Sequence, residues 1–354
     1  MRALLTGATG FIGRYVLDEL LARGDAVRVI VRPQSLEHST DARALAERPR
    51  VELARGDLAD GDVLREATRD VDVVYHFAWH SRRRDRELID DDNGDTADDN
   101  ADTATINLSA ARALLDGTRT HGVRRFVFTS SIAVYGGGIR DQNEWPLTEE
   151  APLGAGSFAG QYLREYVEPK IAIENMIRSS AHDGGFDYVI LRPSIVYGPG
   201  GHWAETMLES AQRAPFGMRD PRPAPQLVHV RDLARACVQA GLRSEAGERE
   251  FNIAGDEMLT MGELTRLVQA SLFRSQRGLP ALRQLPRRVE REPRYDTSKA
   301  RMFLGFRPRV SIAQGIAELV MEDSDSEGPE STLREQATQV GSVYDQRIES
   351  GVLD

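Results

Sequence analysis

The chain has 354 residues, 40% of them apolar, and a formal net charge of −10. That length makes one large domain or two ordinary ones, with enough apolar residues for a sizeable core. The acidic balance argues against general nucleic-acid binding, and no uncharged apolar run approaches the roughly 20 residues of a membrane span.

The N-terminus, MRALLTGATGF, runs from a short apolar stretch straight into a glycine-rich turn. It lacks the cleavage-type site of a signal peptide. Residues 3–5 read as a strand and residues 11–23 as a helix closed by Gly24. Further strands are expected at 27–31, 71–77, 126–130 and 189–192. Residues 103–120 and 170–180 have helical apolar spacing. Strand–helix alternation of this kind predicts an α/β fold with a doubly wound parallel sheet. The expected division is a dinucleotide-binding domain over 1–185 with about 226–245. A smaller C-terminal α/β substrate domain would take 186–225 and 246–320, followed by a polar tail, 321–354. Residues 199–225, rich in Pro, Gly and Arg, read as a long loop.

The Asp-rich stretch 90–102 superficially resembles a calcium loop. It lacks the glutamate at the twelfth position, and a solvated loop is expected instead. No His/Cys/Asp set has metal-ligand spacing, so no metal site is predicted. The single cysteine, Cys237, falls on a helix and excludes a disulfide within the chain, which fits a reducing cytoplasm. Only Lys170 and Lys299 are lysines. Arginine's pKa is too high for it to replace a titrating lysine easily, so Lys170 stands out.

The segment TGATGFIG, residues 6–13, sits between a strand and a helix. Gly7, Gly10 and Gly13 allow a tight turn and close approach of backbone to a pyrophosphate, and the helix N-terminus adds unpaired N–H groups. The second strand ends in VRVIVRP, so Arg32 stands where an acid would bond a ribose 2′-hydroxyl. A guanidinium there suits a 2′-phosphate. NADP(H) is therefore preferred, with NAD(H) possible. Asp57, after the third strand, is a candidate to accept from the adenine amino group, or else an N-cap for the next helix.

The strand FVFTSSIAVYG places Ser130 and Ser131 at the C-terminal edge of the sheet, where ligands bind in such folds. Tyr166 and Lys170 follow four apart in a helical context. A phenol with a reference pKa near 10 needs help to exchange a proton near neutral pH, and a neighbouring ammonium favours the phenolate. The serine would hydrogen-bond the substrate oxygen. Pro169 is awkward in a helix, and the sequence predicts a helix start or kink at 164–168 to accommodate it.

These motifs together resemble the extended short-chain dehydrogenase/reductase family, also called the NAD-dependent epimerase/dehydratase family. TGATGFIG is similar to its glycine motif, HFAW (76–79) to its fourth-strand motif, TSSIAVYG to its catalytic-serine strand, and LRPSIVYGPG (191–200) to its nicotinamide-covering loop. VHVRDLARA (228–236) and DTSKARMFLGFRP (296–308) also resemble family segments. The resemblance implies a Rossmann domain and a catalytic set of Ser131, Tyr166 and Lys170, with Asn107 as the helix-borne asparagine. Cofactor contacts are expected at Gly7, Thr9, Gly10, Phe11, Ile12, Gly13, Arg32, Asp57, Leu58, Phe77, Ala78, Tyr166, Lys170, Pro193, Ile195 and Val196. Trp79, His80, Ser131, Tyr166 and Trp203 are the expected substrate contacts. Glu174 matches the acid that often follows the lysine, and the family often forms a homodimer through helices around 103–120 and 165–180.

Ile132 and Ala133 stand where dehydratases carry acids and cannot move protons. Ile195 stands where many sugar-nucleotide enzymes carry asparagine, and Pro225 where they carry arginine. The expectation is an NADP(H)-dependent oxidoreductase acting on the carbonyl or alcohol of a small metabolite. A nucleotide-sugar epimerase working through a transient 4-keto species is the alternative, and a non-catalytic dinucleotide-binding regulator the second. The cluster SRRRDR (81–86) reads as a solvated loop or an anion contact. His229 and Asp232 read as structural.

Overall fold

Seven strands hydrogen-bond into one parallel sheet. They are β1 (Arg2–Thr6), β2 (Ala26–Val31), β3 (Val51–Arg55), β4 (Val73–His76), β5 (Arg125–Thr129), β6 (Asp187–Pro193) and β9 (Arg249–Ile253). Their order is β3-β2-β1-β4-β5-β6-β9. A separate parallel pair joins β7 (Ile195–Tyr197) to β8 (Leu227–His229). The computed structural model describes residues 1–81, 97–136, 146–154, 161–215, 219–276 and 294–326. Arg82–Arg86 of the arginine cluster, residues 90–96 of the Asp-rich stretch and the tail from 327 lie outside the described residues. The other half of the Asp-rich stretch opens the helix Ala97–Thr120.

The strand sequences follow from their places. β4 and β5 are buried along their whole length, as central parallel strands with both faces covered must be. β3 is an edge strand, and its burial breaks at Glu52 and Arg55, charged positions that discourage pairing with a foreign strand. The helix Phe11–Ala22 turns Val16, Leu17 and Leu20 inward. It stops at Gly24, whose φ of 87° only glycine adopts easily and whose N–H donates to the Leu21 carbonyl at 2.9 Å. The strand order reverses between β1 and β4, the switch point where open α/β sheets leave a ligand crevice.

The described residues fall into two compact units. The first takes those within Met1–Ser194, Leu233–Ile253 and Tyr295–Arg307; the second takes those within Ile195–Asp232, Ala254–Arg294 and Pro308–Asp354. These bounds differ from the expected 1–185 with 226–245. β6 and β9 are ladder-bonded to the large sheet, so residues up to 194 and those of 246–253 join the first unit. Residues 226–232 carry β8 and go with the second. In the second unit the helix His202–Arg213 occupies part of the expected 199–225 loop. Its Met207, Leu208 and Ala211 pack with Leu264, Val268 and Ile316 in a core cluster. Punctuation by Pro and Gly at both ends masks this amphipathic spacing in the sequence.

The expected start or kink at 164–168 is also corrected. The helix begins at Gln161 and runs unbroken through Pro169 to Gly184. The proline forfeits the bond to the Glu165 carbonyl, a cost of about 3 kcal/mol or more. Val167, Ile173, Ile177 and Ala181 are buried on this helix, and a buried Val or Ile contributes roughly 1.5–3 kcal/mol. Tertiary burial therefore outweighs the local defect.

Tyr75, on β4, is fully buried with its hydroxyl directed at the Val238 carbonyl. A Cβ on Gly241 would lie 2.0 Å from that hydroxyl. Gly241→Ala should cost about 1–3 kcal/mol by overpacking, even though alanine is the better helix former. Urea denaturation measures this, and adding Tyr75→Phe should recover part of the loss.

Candidate active site

The turn after β1 is built on backbone contact. Gly7 has a φ of 79°, and a Cβ there would lie 2.7 Å from the Ala78 nitrogen. A Cβ on Gly13 would lie 1.9 Å from the Gly7 carbonyl oxygen. The Gly10 N–H closes the turn on that same oxygen at 2.9 Å. Gly10 then N-caps the helix Phe11–Ala22 with no side-chain cap and no acid in the first turn. Its first N–H groups and dipole are thus available to an anion.

This helix end forms one wall of a cleft of about 360 Å³. Thr9, Gly10, Phe11, Ile12 and Gly13 line it from the turn, and Arg32 and Ser35 from beyond β2. Asp57 and Leu58 line it after β3, and Phe77, Ala78, Trp79 and His80 after β4. The cleft fits a dinucleotide: unshielded amides at one helix end, glycines at positions 7, 10 and 13 of the turn and helix start, and a carboxylate and a guanidinium at the far strands. Arg32 is exposed and N-caps the helix Pro33–His38 with extended backbone. The carboxylate of Asp57 accepts from the Ala59 N–H at 3.0 Å. Asp57 is not the N-cap of the following helix, which begins at Gly61 and is capped by Asp60.

The loop leaving β4 is clamped twice. The Thr6 hydroxyl accepts from the N–H groups of Phe77 and Ala78, both at 3.1 Å, and meets His76 Nδ1 at 2.9 Å. With its lone pairs so used, it donates to Nδ1, which assigns the imidazole proton to Nε2. Burial pushes His76 down to about 3, and the Lys170 charge adds to this, so the ring is neutral near pH 7. Asn107, buried in the helix Ala97–Thr120, accepts from the His80 N–H at 2.9 Å and donates to the carbonyls of His80 and Thr103 at 3.0 and 2.9 Å. Its amide is spent on backbone. Asn107, expected among the catalytic groups, thus ties the loop after β4 to its own helix.

Lys170 is almost fully buried, and its Nζ donates to the Thr129 carbonyl at 3.0 Å. That carbonyl ends β5. Nζ also lies 4.1 Å from the Trp79 ring centre, 5.0 Å from that of Tyr166 and 5.1 Å from that of Phe128. The Trp79 and Tyr166 rings meet edge-on at 5.4 Å. Burial pushes Lys170 down to about 7, opposed by the Glu174 carboxylate. Ser131, at the exit of β5, N-caps the short 3-10 turn Ile132–Tyr135, and its hydroxyl accepts from the Ala133 N–H at 3.1 Å.

Behind the lysine lies a buried ionic network that sequence reasoning only touched through Glu174. Arg192, on β6, donates to both Glu174 oxygens at 2.7 and 3.1 Å, and Arg178 adds a third bond at 2.8 Å. Burial alone would push the Glu174 carboxyl up; the Arg192 hydrogen bonds outweigh it and hold the group below the usual carboxylate range. Arg192 also donates to the Tyr135 hydroxyl at 3.0 Å and the Glu149 carbonyl at 3.1 Å. Tyr135 donates to Asn252 at 2.6 Å. The visible signal was the arginine of LRP, a cation inside an apolar strand.

The remaining expected contacts scatter. Pro193 ends β6 in the first unit. Ile195 and Val196 lie on β7 in the second unit, where Ile195 and Trp203 pack against the apolar cluster. His229 and Asp232 tie the second unit together: Asp232 accepts from the N–H groups of Arg309 and Val310, and His229 faces Glu318 at 3.4 Å. Cys237 is buried and its thiol is pushed up by burial. Among the described residues no His, Cys, Asp or Glu cluster could hold a metal, and no helix is long and apolar enough to cross a membrane.

Residues 3–254 match the model of the NAD dependent epimerase/dehydratase family. A UDP-glucose 4-epimerase of Mycolicibacterium smegmatis is 29% identical, with 90% of this chain and 97% of that protein covered. A 4-hydroxy-2-methyl-3-oxo-4-farnesyl-3,4-dihydroquinoline-1-oxide ketoreductase of Stigmatella aurantiaca is 26% identical over 90% and 96%. A dTDP-glucose 4,6-dehydratase of Streptomyces venezuelae, solved with NAD bound, superposes with a TM-score of 0.68 at 26% identity over 92% and 98%. The chain belongs to the NAD-dependent epimerase/dehydratase family and is an enzyme of the extended short-chain dehydrogenase/reductase type.

Breaking the buried pair is costly because it strands a charge. Arg192→Met should lose about 3–5 kcal/mol at neutral pH. Guanidinium denaturation measures it. The loss should shrink on acidification, because a protonated Glu174 no longer needs the guanidinium.

Proposed function

We propose that this enzyme is an NADP(H)-dependent oxidoreductase that reduces a carbonyl, or oxidises the corresponding alcohol, of a small metabolite. The observation that carries this is the buried Lys170 ammonium held 5.0 Å from the Tyr166 ring, in the same unit as the cleft whose rim holds Arg32. A bound nicotinamide dinucleotide would supply or accept the hydride. Gly7, Gly10 and Gly13 with the helix end would hold its pyrophosphate, Asp57 its adenine end, and Arg32 a 2′-phosphate through paired hydrogen bonds. Tyr166 would give its phenolic proton to the substrate oxygen. A positive Lys170 lowers the energy of the phenolate left behind. Ser131 would donate to the same substrate oxygen and orient it.

The residues after the serine favour this chemistry over dehydration. Ile132 and Ala133 open the 3-10 turn that follows the serine, and neither side chain can move a proton. A second reading, epimerisation of a nucleotide sugar through a transient 4-keto species, is favoured by the activity of the Mycolicibacterium relative. It needs the same tyrosine, lysine and serine and returns the hydride to the other face of the substrate. The two differ in net cofactor turnover. A homodimer through the helices Ala97–Thr120 and Gln161–Gly184 is part of the same proposal.

NADPH consumption against a panel of ketones should reveal turnover; a chain that consumes no NADPH but interconverts UDP- or dTDP-sugars is the epimerase. Tyr166→Phe should lose roughly 10²–10⁴-fold in turnover while cofactor binding stays near normal. Arg32→Asp should weaken NADPH binding at least tenfold and leave NADH binding largely unchanged, as read by titration. Tighter NADH than NADPH binding in the unaltered chain overturns the cofactor reading.

A further inference from the structure

Trp79 lines the dinucleotide cleft and also meets both Lys170 and Tyr166. It is half-buried and rests on the apolar cluster under the sheet. Its backbone is held on both sides, by Thr6 bonding Ala78 and by Asn107 bonding His80. The ring is therefore delivered to a defined place. From there its face covers the lysine nitrogen at 4.1 Å, nearer than the Phe128 and Tyr166 rings.

We propose that Trp79 is a positioning residue that keeps Lys170 charged: its indole face is the principal wall of an aromatic cage, completed by Phe128 and Tyr166, around the ammonium. The proposal rests on the catalytic reading of Lys170 given above. The physical need is plain. An ammonium removed from water loses hydration that a single carbonyl, that of Thr129, does not replace. A ring quadrupole attracts a cation most strongly where solvent is excluded, and indole presents the strongest face of the three aromatic side chains. Other groups surround the site. Tyr166 and Glu174 stand on the lysine's own helix. Neutral His76 stands on β4, and Arg192 on β6 has its charge engaged by Glu174. Protonated Cys237 stands behind Thr129. His80 belongs to the loop that carries Trp79, and the neutral Asn107 holds that loop from the helix Ala97–Thr120. Of these only Glu174 carries a negative charge, and Arg192 and Arg178 share it.

The two-lysine composition makes the test direct. With [13C]lysine labelling, the ε-carbons of Lys170 and Lys299 give two NMR resonances, assigned through Lys299→Arg. Their titration reports the lysine charge in the full-length chain without any need for turnover. Trp79→Leu, which keeps apolar bulk but removes the ring, should lower the Lys170 midpoint by roughly one pH unit, and Trp79→Phe by less. The alkaline limb of the pH–rate profile should move down by the same amount, since a neutral lysine no longer favours the phenolate. Biosynthetic replacement of tryptophan by fluorotryptophans keeps the shape and weakens the ring face. The midpoint should then fall stepwise with fluorine content, which keeps the question answerable if Trp79→Leu does not fold. An unchanged or raised midpoint in Trp79→Leu, or across the fluorinated series, overturns the proposal. If the midpoint falls but Tyr166→Phe retains turnover, the cage stands and the catalytic reading fails.

Discussion

One constraint organises this site: a cation has to be kept out of water without being neutralised. Lys170 is surrounded by apolar and aromatic groups, and an isolated ammonium there would discharge. It does not shift far enough to be neutral at all working pH. Burial brings it to about 7, where the opposing pull of Glu174 leaves it poised. A lysine at its reference value would be charged but indifferent to its surroundings. A lysine without partners would be neutral and useless to the phenol beside it. The poise needs a carbonyl at hydrogen-bond distance, a carboxylate one helical turn on, and rings over the nitrogen.

Each of those needs fixes something larger. The carbonyl belongs to Thr129, so the end of β5 has to be in register with β6, where Thr129 pairs with Leu191. The carboxylate has to stay ionised in the core, which Arg192 accomplishes from β6. Arg192 then reaches Tyr135, the last residue of the 3-10 turn that Ser131 opens. One guanidinium thus holds the acid behind the lysine and the turn below the serine. Burial pushes Tyr135 up to about 12, so this second phenol is a structural hydrogen-bond donor across the range where Tyr166 would exchange protons. On the proposed chemistry, two tyrosines near one site divide between structure and proton exchange by environment.

The parts legible in the sequence were those where a local rule has no substitute. Gly7 and Gly13 face backbone where a Cβ cannot fit, so only one residue type serves. Strand–helix alternation announced the parallel sheet because β4 and β5 are apolar on both faces. Tertiary compensation was not legible. Pro169 read as a helix start, because its local cost is visible in the sequence and the burial of Val167 and Ile173 that offsets it is not. The helix His202–Arg213 hid between prolines and glycines. The hold of Asn107 on the backbone of a distant loop was not legible either. The Arg192 network joins residues from 135 to 252, a span that no spacing rule covers.

The exit of β4 shows how the cleft and the proposed proton site depend on each other. The five residues after the strand line the cleft, and the third of them also touches Lys170 and Tyr166. A shift of this loop would disturb both at once, which explains two clamps on so short a segment. The clamp at Thr6 carries an electrostatic condition as well. It meets His76, and the electrostatic coupling between His76 and Lys170 is repulsive when both are charged. A protonated His76 would drive the lysine further toward neutrality. By accepting two backbone N–H groups, the Thr6 hydroxyl is left to donate to Nδ1, a bond that only the neutral ring can accept. The threonine that ends β1 therefore sets the loop geometry and, through the histidine, protects the charge on which the proposed chemistry relies.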